Sequence, residues 1–224
     1  MIKTVIFDMD GTLIDTEKYY RIVWPKAVAE FGYHMTDEQV LSIRSLGRPY
    51  APARFKEMFG EAFDYEAVRQ RRKVLMEEHI KEHGLSLKKG AVELLIYLRE
   101  KGIQTAVATA TDLERTKKYL TKLAIVSYFD ELVSATMVEF GKPAPDIYQY
   151  ACKQLGRKPE ECMAVEDSPN GVTSAYRAGC KVVMVPDQTQ PDEETKKMLY
   201  AKVDSLFDIR TLIKLDAYKE EAEA

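Results

Sequence analysis

A short apolar run, Val5-Ile6-Phe7, stops abruptly in two carboxylates two residues apart, Asp8 and Asp10, followed by Gly11 and Thr12. Side chains alternate along a strand, so Asp8 and Asp10 leave its C-terminal end on one side while Met9 points elsewhere. One is then placed to attack and the other to move a proton. The same residues would also suit a hairpin, because Asp-Gly is a common turn dipeptide. What separates the two readings is recurrence. Ile103-Gln104-Thr105-Ala106-Val107-Ala108 ends in the hydroxyl of Thr109, and Met163-Ala164-Val165 ends in Glu166-Asp167-Ser168. Lys142, in Gly141-Lys142-Pro143-Ala144-Pro145-Asp146, stands just before a helical stretch. In open α/β sheets such strand ends line the ligand crevice.

Each residue also has a structural alternative. Thr109 alone reads as a strand threonine, and Lys142 alone as a solvated surface lysine. Ser168 before Pro169 reads as an N-cap with proline at the first helical position. That last role is compatible with a site, since a helix beginning beside a phosphate contributes its amides and the positive end of its dipole.

After Gly90 the chain alternates regularly: helix 91–101, a strand ending at Thr109, helix 113–123, strand 131–135, helix 146–155 and strand 163–166. Helix 170–178, strand 181–186, a short strand near 201–203 and helix 208–215 complete it, with a frayed acidic end at Lys219–Ala224. This is the pattern of an α/β, doubly wound parallel sheet. Between Thr16 and Gly84 only helical patterns occur. Tyr19, Ile22, Val23, Ala27, Val28 and Phe31 recur at helical spacing, with Pro25 expected to bend or break the helix. Thr36 and Gln39 form a capping box, Phe55, Met58 and Phe59 mark a third helix, and Tyr65 to His83 a fourth. The expected organisation is an α/β core of residues 1–15 and 86–224 with an all-helical four-helix domain of residues 16–85 inserted after the first strand. The two linkers would act as a hinge.

The 224 residues are 46% hydrophobic and 31% charged, as in an ordinary globular protein with a full core. A formal net charge of −3 gives no electrostatic case for nucleic acid. No apolar run reaches membrane length or follows a signal-peptide pattern, so a cytoplasmic monomer is the expectation. Cys152, Cys162 and Cys180 are odd in number and lack Cys-x-x-Cys spacing, the pattern of reduced, packed thiols.

The four motifs together resemble those of the haloacid dehalogenase-like hydrolase superfamily, specifically its helical-cap members. The resemblance covers essentially the whole chain and implies a Rossmann-like core. Asp15-Thr16-Glu17, Tyr19 and Trp24 are similar to the entry helix of the β-phosphoglucomutase-like branch. What the resemblance implies is Mg²⁺-dependent hydrolysis of a small phosphorylated metabolite, a sugar or polyol phosphate first. Asp8 would be the nucleophile, forming an aspartyl-phosphate, and Asp10 the general acid/base. Thr109, Ala110 and Lys142 would hold the phosphate. Asp8, Asp10 through its carbonyl, Glu166 directly or through water, and Asp167 would hold the metal. The physics agrees, because a carboxylate can approach a phosphate monoester only if a cation offsets their repulsion.

Two alternatives remain in view, a sugar-phosphate mutase and a non-catalytic phosphometabolite-binding regulator. The mutases carry a histidine where this chain has Tyr20, which tilts the reading to a plain phosphatase, and dehalogenases lack the second aspartate, Asp10. In the family the loop corresponding to Leu46-Gly47-Arg48-Pro49 faces the site, which makes Gly47 and Arg48 substrate-contact candidates. Arg69, Arg71, Arg72 and Lys73 read as a solvated helix face. His79 and His83, four apart, share a face but have no third ligand for a metal.

Overall fold

The structure is a computed structural model that describes the backbone of residues 1–223 and the side chains of residues 1–218. Six short strands carry the apolar runs: β1 (Thr4–Phe7), β2 (Gln104–Thr109), β3 (Glu131–Ser134), β4 (Cys162–Glu166), β5 (Lys181–Met184) and β6 (Ala201–Lys202). They form one parallel sheet in the order β3-β2-β1-β4-β5-β6. β1 is central, its Val5 opposite Thr105 on one side and Met163 on the other.

Because alternate residues face opposite ways, the sheet builds two cores. Val5, Phe7, Val107, Met163 and Val165 pack with Leu94, Leu95 and Leu98 of one helix and Tyr119 and Leu120 of another. Ile6, Ala106, Ala108 and Ala164 pack with Ile147, Tyr148 and Ala151, and with Val172 and Ala175. A sheet covered on both faces requires strands apolar on both sides, which is why these segments read as continuous apolar runs.

Four helices lie between β1 and the rest of the sheet: α1 (Glu17–Ala29), α2 (Asp37–Ser42), α3 (Tyr50–Phe59) and α4 (Tyr65–His83). The Thr36–Gln39 capping box at α2 is formed. α1 runs through Pro25 unbroken, contrary to the expected break. A proline inside a helix costs about 3 kcal/mol, but Tyr20, Val23, Trp24, Ala27 and Val28 on either side of it are all buried. Each large apolar side chain contributes roughly 1.5–3 kcal/mol, enough to outweigh the missing donor. Ile22 and Phe31, counted from the sequence as part of the apolar stripe, are instead 41% and 40% exposed. The insert's own core is aromatic, with Phe55 packed on Trp24 and Phe63 at ring separations of 4.9 and 5.5 Å.

The two linkers run side by side. Asp15 N donates to Ser86 O at 3.0 Å and Lys88 N to Leu13 O at 2.9 Å, flanking an antiparallel bridge between Ile14 and Leu87.

The remaining helices flank the sheet: α5 (Ala91–Glu100), α6 (Leu113–Lys122), α7 (Asp146–Gln154), α8 (Pro169–Ala178), α9 (Glu193–Lys197) and α10 (Ile209–Glu223). The short α9 was not anticipated, and α10 continues through Glu223 where fraying was expected from Lys219. Ala224 lies outside the described residues. The three cysteines are free and buried, and among the described residues no helix is long and apolar enough to cross a membrane.

Asp216 fastens α10 to the N-terminal ends of β1 and β5, accepting from Ile2 N at 2.8 Å and from Lys181 Nζ at 2.5 Å. Asp216→Ala is expected to cost about 1–3 kcal/mol by leaving a buried amide unpaired, a fall of several degrees in thermal midpoint by circular dichroism. An unchanged midpoint would show that α10 docks without it.

Candidate active site

From β1 the chain moves through β2 to β3 on one side, then crosses to β4 and continues outward on the other. The crossover leaves a crevice beyond the C-terminal ends of β1 and β4, where ligands bind in sheets of this kind. Asp8 follows β1 directly, its amide donating to Val165 O at 2.9 Å. Glu166 ends β4 and Asp167 follows it. One carboxylate oxygen from each of Asp8, Glu166 and Asp167 lies within 4.8 Å of the others.

Lys142 enters from the loop before α7 and is 1% exposed. Its Nζ donates to Asp8 Oδ1 at 2.5 Å and to Glu166 Oε1 at 2.6 Å. Tyr148 of α7 donates to the same Glu166 oxygen at 2.7 Å. Asp8 Oδ2 is buried and has no hydrogen-bond partner. Asp10 is oriented by two hydroxyls, Thr16 Oγ1 on its Oδ1 and Thr111 Oγ1 on its Oδ2, both at 2.7 Å. Thr109 is buried, and its Oγ1 accepts from Thr111 N at 3.1 Å. Asp8, Asp10, Thr109, Ala110, Gly47 and Arg48 all line one cavity of about 470 Å³ between the insert and the sheet. Lys142, Glu166 and Asp167 are buried against Asp8.

Buried acids outnumber buried bases here. Asp8, Asp10, Glu17, Glu166 and Asp167 face Lys142 and Arg44, all of them buried. Burial pushes the Asp8 and Glu17 carboxyls well above the usual range, and that of Asp167 to about 7. Lys142 moves upward, since Asp8 and Glu166 together more than offset the burial that would lower it. A set of three buried carboxylates close enough to share one ion, carrying surplus negative charge, fits a hard divalent cation.

Several residues at this site were not anticipated. Glu17, at the start of α1, is buried among the acids. Arg44, after α2, reaches Asp167 through Nη1 at 3.5 Å from Oδ2 and Nη2 at 3.2 Å from the carbonyl, and Thr189 Oγ1 at 2.8 Å. Nothing in the local sequence distinguishes Arg44 from a surface arginine. Gly11, at φ +85°, and Gly171 are required by closeness: a Cβ at either would overlap the carboxylate of Asp167 or Glu166 respectively.

Of the other expectations, Arg48 sits at the rim, more than half exposed and paired with Glu66 at 2.5 Å. Gly47 does more. Its amide donates to Lys142 O at 2.8 Å, and the Gly141 amide donates to Arg48 O at 2.6 Å, a main-chain seam between the insert and the lysine loop. The basic run corrects the solvated-face reading, since Arg72 is buried and, with Arg69 and Lys73, lines the cavity. His79 and His83 stack on each other at 4.1 Å, with His79 also on Tyr19, a packing role.

Residues 2–179 match the model of the haloacid dehalogenase-like hydrolases. The chain belongs to this family. Among its relatives, the phosphorylated carbohydrates phosphatase of Thermotoga maritima is 31% identical over 186 residues, 80% of this chain and 82% of that protein. Hexitol phosphatase A of Escherichia coli is 29% identical over 183 residues, 82% of each chain. The crystal structure of a variant of CbbY from Rhodobacter sphaeroides in complex with xylulose 1,5-bisphosphate has a TM-score of 0.79 at 26% identity, covering 93% of this chain and 96% of that one. By family and kin the chain is a phosphatase.

Gly171→Ala is expected to displace Glu166 and cost about 1–3 kcal/mol, as overpacking of a full core does. Thermal unfolding checks this, and an unshifted midpoint would mean that α8 can slide to admit the methyl.

Proposed function

We propose that this haloacid dehalogenase-like hydrolase is an Mg²⁺-dependent phosphatase of small sugar or polyol phosphates, acting through an aspartyl-phosphate on Asp8. The observation that carries the reading is the asymmetry of Asp8, a residue that lines the cavity: Oδ1 is held by Lys142, whereas Oδ2 is buried and unpartnered. An oxygen so placed is a nucleophile with its orientation set in advance.

Asp8, Glu166, Asp167 and the Asp10 carbonyl would hold the ion, which when bound offsets the repulsion between carboxylate and phosphate. Asp8 Oδ2 bonds to phosphorus as the bond to the leaving oxygen breaks. Asp10 gives its proton to that oxygen, then takes one from the water that cleaves the acyl phosphate. Thr16 and Thr111 keep the Asp10 carboxyl aimed. Lys142, Thr109 and the Ala110 amide bind the phosphoryl oxygens. The insert, residues 16–85, works as a cap domain that excludes bulk water, with Gly47 and Arg48 at its rim. Sugar and polyol substrates are supported by the relatives named for phosphorylated carbohydrates and hexitols. Tyr20 speaks against the mutase alternative, because burial pushes its hydroxyl up to about 12, far from exchanging protons near neutrality.

Asp8→Asn should lower magnesium-dependent phosphate release from a panel of sugar and polyol phosphates by roughly 10³-fold or more while the protein stays folded. An active Asp8→Asn protein would overturn the mechanism, and an inactive parent across the panel would overturn the substrate class.

The acids also predict a pH dependence. A carboxyl raised in the folded state binds its proton more tightly there than when unfolded, so stability falls as pH rises from the ordinary carboxyl value of about 4. For Asp167 the loss is complete above about 7. Mg²⁺ should restore it. The gain in thermal midpoint on adding the ion should therefore be larger at about pH 7.5 than at about pH 5, and an equal gain at both would separate the ion from these acids.

A further inference from the structure

Arg44, in the turn after α2, carries a positive charge from the helical insert to the acids at the end of β4. Its side chain is 2% exposed and lines the cavity together with Asp8, Asp10 and Glu17. Nη1 lies 3.5 Å from Asp167 Oδ2, while Nη2 donates to the Asp167 carbonyl at 3.2 Å and to Thr189 Oγ1 at 2.8 Å. Nε is buried and has no partner. A carboxylate contact this long is held by charge more than by hydrogen bonding. Thr12 Oγ1 donates to the other Asp167 oxygen at 3.3 Å, so both oxygens of that carboxylate are engaged. The backbone that bears Arg44 is docked as well: Asn170 Nδ2, in the first turn of α8, donates to Arg44 O at 2.9 Å and to Ser42 O at 3.3 Å. A few residues further on come the main-chain bonds that join Gly47 to Lys142 and Gly141 to Arg48. The guanidinium therefore reaches Asp167 only when the insert is seated against the sheet.

Asp167 is also one of the three carboxylates close enough to share an ion. Two positive charges drawn to one buried carboxylate repel each other strongly, because little water lies between them to screen the interaction. We propose that Arg44 opposes the metal: it neutralises Asp167 while the insert is seated, and a divalent ion on Asp167 loosens the insert until a phosphate dianion joins the site. Such coupling is reciprocal. Whatever Arg44 subtracts from affinity for the ion, the ion subtracts from the hold of Arg44 on Asp167. A phosphate adds negative charge facing both cations and shifts the insert back to its seated position. The sequence of events has a use, since an ion-loaded site then stands open to substrate and closes once the group to be attacked has arrived. Arg44 is on this account a positioning residue that acts through Asp167. The inference rests on the metal-dependent phosphatase reading and extends it to what controls the insert.

The test is calorimetric titration of Mg²⁺ into the parent protein, Arg44→Gln and Arg44→Lys. Arg44→Gln should bind Mg²⁺ about tenfold or more tightly than the parent, and Arg44→Lys, which keeps the charge, within about threefold of it. Loss of packing alone would weaken binding in both. Amide hydrogen exchange read by mass spectrometry follows the seam at Gly47 and Gly141. In the parent, Mg²⁺ should speed that exchange by about threefold or more, and Mg²⁺ with inorganic phosphate should slow it again. The exchange measurement needs no variant, so it decides where a substitution prevents folding. Binding by Arg44→Gln no tighter than the parent's, or a seam that Mg²⁺ leaves unchanged or protects, overturns the antagonism, while the parent's own Mg²⁺ binding still upholds the metal site. No Mg²⁺ binding by the parent or either variant overturns both.

Discussion

The buried ammonium of Lys142, shared between Asp8 and Glu166, is the interaction on which the rest of this structure is arranged. An ion pair taken out of water recovers in Coulomb attraction little more than it loses in hydration, so it is not there to stabilise the fold. Its effect is positional. It fixes one oxygen of Asp8 and leaves the other free. It also draws α7, through Tyr148, against the end of β4. The surrounding chain makes room: Gly11 and Gly171 carry no side chain where the carboxylates of Asp167 and Glu166 need to be.

The topology supplies the location and the insert supplies the enclosure. β1 and β4 are neighbours whose chains depart in opposite directions, so acids far apart in sequence end on the same rim. The insert then sends Arg44 into that rim from outside, where it meets Asp167 and Thr189. Two cations, one from each part of the molecule, thus partly balance five acids, and the remainder is the attraction a divalent ion answers.

Much of this was legible in the residues. The strands were visible because a sheet buried on both faces leaves unbroken apolar runs, and the acids, Thr109 and Lys142 were visible because they end such runs or stand beside them. The basic run on α4 was misread because a charged residue is ordinarily solvated, and only tertiary structure shows Arg72 covered by Tyr20 and Trp24. Arg44 had no signal, since its partner lies 123 positions away. Pro25 misled for a related reason: its local cost is real, but packing on both sides of it prevails.

The seam between Gly47 and Gly141 is drawn entirely with peptide groups. Such a junction needs glycine at both positions, where a Cβ on either would collide with the other's backbone, but its hydrogen bonds ask nothing of the side chains farther out. Residues elsewhere on the insert are therefore free to diversify, retuning which molecule is admitted, while the way the two halves meet beside Lys142 stays the same.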